Sequence, residues 1–420
     1  MAGKLERADG FRPMKILWVK SDLLHPTTKG GHIRTLEMLR RLHQRHEIHY
    51  LGFENNAAGE GVRRSTEYCT KVYPVPHRAP PRSSPRFWGQ LARGLVSRLP
   101  VAIFRYQSAA MAEQIARLTA REHFDSIVCD FITPATNFSS LGNVVVFQHN
   151  VETMIWRRHA ENARNPAEKL YLRLQAGRMF DYEQGVCRAA RHVIAVSQED
   201  SCLMREMFGI DRVSPIPTGV DVEYFTPREQ RARAGLLFVG SMDWLPNIDG
   251  MRYFCEEILP IIRRAKPDCP LRIVGREPTR EMRALADKDP LVEVTGTVPD
   301  VRPYLWSAAL SIVPLRIAGG TRMKIYEAMA AQTPVVSTTI GAEGLDTHPP
   351  RDIRLADTPE AFAADCIALL EDPAAADKQA FQAWNWVSGN FGWENVARQF
   401  EEILHTAAGL SAPASLQAER

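Results

Sequence analysis

No stretch of this 420-residue sequence approaches the roughly 20 consecutive apolar residues that a membrane-spanning helix needs. The N-terminus, MAGKLERADGFRP, lacks the apolar core of a secretory signal, and the first apolar run, Ile16 to Val19, is far too short to supply one. Translocation is therefore not expected, and the sequence reads as cytoplasmic. Charge of one sign is scarce as well. Fifty-two Lys plus Arg against 49 Asp plus Glu leave a net +3, too small an excess to argue for a nucleic-acid partner. The seven cysteines, at 69, 129, 187, 202, 255, 269 and 366, form no Cys-x-x-Cys pair, and most sit in apolar runs such as Ile127-Val128-Cys129. Buried, reduced thiols are the expectation, with neither disulfide nor metal role. No Gly-x-Gly-x-x-Gly follows a strand and no Gly-x-x-x-x-Gly-Lys occurs, which disfavours a dinucleotide oxidoreductase and a P-loop ATPase.

What is present is alternation. Short apolar runs at Lys15–Lys20, Ile48–Phe53, Ser126–Asp130, Val144–Gln148 and His192–Val196 read as strands. Helical segments fit at 30–45, 107–122 and 166–190. The pattern resets across 211–235, where Pro215, Pro217, Gly219, Pro227 and a charged run read as linker. A second series follows: strands at Leu236–Gly240, Leu271–Gly275, Leu291–Thr295, Leu310–Val313 and Pro334–Ser337, and helices at 247–264, 279–288, 321–331 and 358–371. Buried strands separated by helices imply parallel βαβ units. The chain is too long for one core, so two α/β domains with a cleft are expected: 14–215 and 216–390. A last helix, 391–407, is expected to pack back on the first domain, and 1–13 and 408–420 to be disordered.

Several segments carry chemistry. After the strand ending at Pro314, a Gly319-Gly320-Thr321 turn leads into a helix, placing free amides and the positive helix end where a diphosphate would fit. Arg322 and Lys324 fall in its first turn, unfavourable for the helix alone and suited to an anionic ligand. Thr321 as a plain cap, with Arg322 in water, is the alternative. Thr28-Lys29-Gly30-Gly31-His32 opens the first helix, and paired glycines let the backbone approach a ligand closely. Phe147-Gln148-His149-Asn150-Val151-Glu152 puts a polar pair just past a buried strand, where ligands of open α/β sheets bind. His149 and Glu152 are two metal ligands without a third, which is no site. Arg78 to Arg98 mixes cations with Phe87, Trp88, Leu91, Leu95 and Leu99. It suits either a core-facing helix with a basic outer face or peripheral contact with the inner membrane surface.

The segment Val313 to Val336 resembles the donor-binding signature of GT-B fold glycosyltransferases, most closely the retaining family 4, also called glycosyl transferases group 1. Leu237–Met242, the hinge-like Pro217-Thr218-Gly219-Val220-Asp221, Ile273-Val274-Gly275, Thr295–Val298 and Gly341–Leu345 match in order and spacing across about 14–405. This resemblance implies two Rossmann-like doubly wound parallel sheets and transfer of a sugar from a nucleotide-diphosphate sugar to a glycan or lipid-linked acceptor with retention. Bacterial polysaccharide or glycolipid assembly is the implied setting. It further implies that Glu327 binds the nucleotide ribose, that Gly240, Ser241 and Gly275 line the donor, that His149 meets the sugar, and that Gly30, Gly31 and His32 form the acceptor and phosphate loop. The family's other glutamate would fall at 319, where this chain has glycine, so Gly319, Gly320 and Thr321 are expected to give backbone donors, and Arg322 and Lys324 the charge. No cofactor or metal is expected. A GT-B sugar-nucleotide epimerase and a catalytically silent nucleotide-sugar-binding subunit are the rival readings.

Overall fold

The computed structural model describes residues 12–27, 30–54, 59–77, 97–163, 165–228, 233–317 and 323–410. Contacts divide the chain into two compact units, Met1–Ile216 with Val396–Arg420, and Pro217–Asn395. Each is built around one parallel sheet.

In the first unit β1 (Lys15–Lys20), β2 (Glu47–Glu54), β3 (Lys71–Pro76), β4 (Ser126–Asp130), β5 (Val144–Phe147), β6 (His192–Ala195) and β7 (Val213–Pro215) lie in the order β3-β2-β1-β4-β5-β6-β7. Every described pairing is parallel, with Ile16 opposite Ile48 and Lys20 opposite Asp130. The strands are apolar runs because both faces are covered. Ile16, Leu17, Trp18 and Val19 have no exposed surface, nor has Phe147. Helices α1 (Gly30–Leu42), α2 (Ala109–Arg121), α3 (Glu152–Asn162), α4 (Pro166–Ala189) and α5 (Gln198–Phe208) connect them. Ser108 and Ser197 cap α2 and α5 by accepting from Met111 N and Asp200 N.

In the second unit β8 (Leu236–Val239), β9 (Leu271–Val274), β10 (Val292–Gly296), β11 (Leu310–Val313), β12 (Val335–Ser337) and β13 (Arg354–Leu355) repeat the same winding, β10-β9-β8-β11-β12-β13. Around them run α6 (Leu245–Tyr253), α7 (Arg280–Lys288), α8 (Met323–Ala330), α9 (Pro359–Glu371) and α10 (Pro373–Asn390). Strand order reverses between β1 and β4 in one sheet and between β8 and β11 in the other. Both reversals are switch points of the kind where doubly wound sheets hold ligands.

Locally the structure adds to the sequence reading and in places departs from it. Lys71–Pro76 is a strand although Pro74 and Pro76 interrupt its pattern; it lies at the sheet edge, where a missing N–H costs no ladder bond. Val213–Pro215, inside the stretch whose composition reads as linker, is the opposite edge. The helix expected over 247–264 is present from Leu245 to Ala265, with one irregularity: a π turn at Phe254–Ile258 lies between α6 and a last short stretch carrying Pro260. Helices α3 and α10 were not anticipated. The remaining helix, α11 (Trp393–Ala408), begins in the second unit and ends in the first. There Phe400 packs on Trp18 and Phe147, and Glu401 accepts from Arg45 Nε at 3.0 Å.

Cysteines 69, 129, 187, 269 and 366 are buried, whereas Cys202 on α5 is exposed. The segment 78–96 lies outside the described residues, as do 1–11 and 411–420. Among the described residues no helix is long and apolar enough to cross a membrane.

Candidate active site

At the carboxyl edge of the second sheet, β8 and β9 end in glycines for a steric reason. Gly240 N donates to Val274 O at 2.9 Å, and a Cβ on Gly275 would stand 1.7 Å from Gly240 O, so no side chain fits there. A Cβ on Gly240 would in turn meet Lys324 Nζ at 2.7 Å and Asn247 Nδ2 at 2.8 Å. The ammonium of Lys324, in the first turn of α8, therefore lies directly over the glycine turn. It is held by donation to Asn247 Oδ1 at 2.9 Å and by the face of Phe238, 4.2 Å from the ring centroid. Asn247 is itself fixed, donating through Nδ2 to Ser241 O at 2.7 Å. The amide at 247 thus steers a lysine arriving from another element.

Glu327 stands one turn along α8 from Lys324. Burial lifts its carboxyl to about 7, with the Lys324 ammonium pulling the other way. It makes no hydrogen bond to a described residue. Ser241 is already engaged: its hydroxyl donates to Asp243 at 2.5 Å and accepts from Arg276 Nε at 2.6 Å. Arg276, next to Gly275 and half-exposed, is a cation at this edge that sequence reasoning missed; its only signal was its place immediately after a strand-terminal glycine. Arg316, beyond β11, donates to Asp249 at 3.1 and 2.8 Å and fastens that loop to α6. Gly319, Gly320, Thr321 and Arg322 lie outside the described residues.

The first unit gathers a different set. His149, just past β5, is 6 % exposed, and its Nε2 lies 2.7 Å from Asp130 Oδ1 at the end of β4. Lys20 Nζ, at the end of β1, also donates to Oδ1 at 2.7 Å. Trp18 Nε1 donates to Oδ2 at 2.9 Å, and the Thr35 hydroxyl from α1 lies 2.7 Å from the same oxygen. Burial alone would raise the Asp130 carboxyl, but Lys20 and His149 overcome it and hold it well below the usual carboxylate range. Burial pushes the His149 imidazole down to about 4, against the attraction of Asp130 and with help from Lys20 and Arg34. Arg34, on α1, is itself lowered to about 10 by burial.

The glycine pair divides in role. A Cβ on Gly31 would stand 3.5 Å from His149 Nδ1, whereas one on Gly30 would meet nothing within 4 Å. His32 is half-buried, its Nε2 3.6 Å from Asp22 Oδ2 and its buried Nδ1 without a hydrogen bond. Glu152 is absorbed by structure: it opens α3, whose first amides, Glu152 N and Thr153 N, donate to the buried Glu183 at 2.9 and 2.8 Å. Thr153 Oγ1 and Gln148 Nε2 donate to the same carboxylate at 2.6 and 3.1 Å. Glu183 thus ties the residues on either side of His149 to α4. Asp130, Lys20, Trp18, Thr35 and Glu183 were all missed from sequence. Asp130 and Lys20 carried a usable signal, a charge ending an apolar strand; Glu183 carried none. Among the described residues no group of three His, Cys, Asp or Glu could hold a metal ion.

Residues 28–224 match the family described as Glycosyltransferase Family 4, and residues 233–372 match Glycosyl transferases group 1. An uncharacterized 44.6 kDa protein of the cps region of Klebsiella pneumoniae is 20 % identical over 395 residues, spanning 91 % of this chain and 97 % of that protein. Among solved structures, sucrose-phosphate synthase from Thermosynechococcus elongatus superposes with a TM-score of 0.69 at 16 % identity, over 95 % of this chain and all of the other. The Anabaena protein Alr3699/HepE, in complex with UDP-glucose, gives 0.63 at 16 % identity over 94 % of this chain and all of the other. Neither an epimerase nor a silent binding subunit is favoured by these likenesses. With two parallel sheets wound alike and both halves matched to the same kind of enzyme, the chain belongs to the GT-B glycosyltransferases of group 1 and family 4.

Proposed function

We propose that this glycosyltransferase takes a nucleoside-diphosphate sugar as donor on its second unit. In this reading Lys324 meets the diphosphate and Glu327 the ribose. Transfer proceeds with retention to a glycan or lipid-linked acceptor in bacterial polysaccharide or glycolipid assembly. The observation that carries the reading is the Lys324 ammonium held over the Gly240 turn at a switch point, one helical turn from the buried carboxyl of Glu327. UDP-glucose in the related Alr3699/HepE structure makes a uridine donor the first to try.

The bond from the anomeric carbon to the diphosphate breaks, the acceptor hydroxyl oxygen bonds to that carbon, and its proton goes to the departing diphosphate. Charge growing on the leaving oxygens is met by Lys324, together with Arg322 and the backbone amides of Gly319, Gly320 and Thr321, rather than by a metal ion. His149 serves the transferred sugar or its acceptor. Gly30, Gly31 and His32 are proposed to border the same group.

Thermal-shift measurements with UDP, GDP and ADP sugars test this. One class is expected to raise Tm in the wild type and to lose that effect in Lys324→Ala, whose turnover should fall about 10²–10³-fold. Transfer should survive EDTA, and NMR of the product should show the donor's anomeric configuration. No response to any nucleotide sugar would sink the reading.

A further inference from the structure

We propose that Asp130 is a positioning residue that locks His149 as the neutral Nε2–H tautomer. Nδ1 is then left as a hydrogen-bond acceptor for a sugar or acceptor hydroxyl lying against Gly31. The proposal deepens the role given to His149 above and rests on that reading.

The argument begins with proton bookkeeping at Asp130. A carboxylate only accepts, and this one is surrounded by donors: Lys20 Nζ on Oδ1, Trp18 Nε1 on Oδ2, and the Thr35 hydroxyl beside Oδ2. With Lys20 at 2.7 Å it stays ionised, so the contact between Asp130 Oδ1 and His149 Nε2, also 2.7 Å, is made by an N–H on Nε2. A neutral imidazole has one proton; Nδ1 is then bare.

The surroundings orient that lone pair. The imidazole lies between two rings, Phe147 with its centroid 4.5 Å away and Phe131 at 5.2 Å. Phe131 adopts φ 78°, a left-handed backbone conformation that a phenylalanine rarely takes. That conformation falls on the residue after Asp130 and places a ring over the imidazole. Nδ1 makes no hydrogen bond to a described residue and lies on the side of Gly31, where a Cβ would stand 3.5 Å from it. Here one nitrogen is saturated from behind by a carboxylate with four donor neighbours, and the other points at the glycine turn.

Long-range ¹H–¹⁵N correlation on the full-length, histidine-labelled protein near pH 7.5 reads the tautomer directly. The signals of His149 are those lost in His149→Gln. A protonated Nε2 and a bare Nδ1 are expected in the wild type, and a mixed pattern in Asp130→Asn. The same variant is expected to lose about 10- to 100-fold in kcat, as for a lost hydrogen bond to a charged group, with donor KM little changed. A proton on Nδ1 in the wild type overturns the proposal whether or not Asp130→Asn folds, and so does an unaltered kcat in a folded Asp130→Asn. If instead His149→Gln transfers sugar normally, the role of His149 itself is wrong, a result separable from the tautomer.

Discussion

At the residue scale the proposed chemistry uses groups whose charge is set by neighbours on other elements. His149 is held neutral by burial, and the charges facing it are Asp130 from β4, Lys20 from β1 and Arg34 from α1. Its folded value of about 4 lies below the ordinary 6.5, so the unfolded chain binds the proton first as the solution is acidified. Stability is therefore undiminished above pH 6.5 and declines as pH falls from 6.5 toward 4, by up to about 3 kcal/mol from this group. Urea unfolding at pH 7 and pH 5 should show the decline in the wild type and a shallower one in His149→Gln. Equal slopes would mean the imidazole is not held neutral. Asp130 could have been suspected from its place at the end of Ser126–Asp130, as His149 was from its place after β5. Their meeting, across 19 residues, is a property of the sheet.

At the scale of elements, the start of α3 shows how a site is held by a residue far from it in sequence. Four donors, from Gln148, Glu152 and Thr153, converge on Glu183, although burial raises its carboxyl to about 7. Glu183→Ala leaves these donors unpaired in a buried place, at about 1–3 kcal/mol for each one that water does not reach. The expected result is a Tm several degrees lower together with reduced turnover, because Gln148 and Glu152 flank His149. Full activity in a destabilised variant would show that α3 does not position the histidine. The α3 helix was not legible from sequence because nothing announces its start: Val151 stands at its N-cap position and gives no side-chain cap, whereas Asn165-Pro166 and Thr358-Pro359 open helices that were read. Helix α8 was legible because its apolar Ile325, Tyr326, Ala328 and Met329 follow a turn of recognisable composition.

At the scale of the whole molecule, two sheets wound in the same order each offer a switch point, and the chain leaves the second unit to finish in the first. Residues beyond Asn395 bring Val396, Ala397, Phe400 and Leu404 into the core of the first unit, all at most 1 % exposed. A chain ended at Asn395 should lose at least the 3–5 kcal/mol typical of deleting one buried phenylalanine. Calorimetry should show the transition of the first unit moved down while that of the second keeps its position. Coincident loss of both would show that the units unfold as one.

Local patterns sufficed for the two α/β series and pointed to His149 and Lys324, because strand period, helix period and polar strand ends are properties of neighbouring residues; the family and Glu327 came from the resemblance of whole motifs. Edge strands that carry proline, and the partners of Asp130, were decided by tertiary structure alone. A proline is tolerated only because of where its strand lies in the sheet, and Trp18, Lys20 and Thr35 reach Asp130 across 112, 110 and 95 residues. Which charges meet is set by the order in which strands stack, and no periodicity in the chain encodes it.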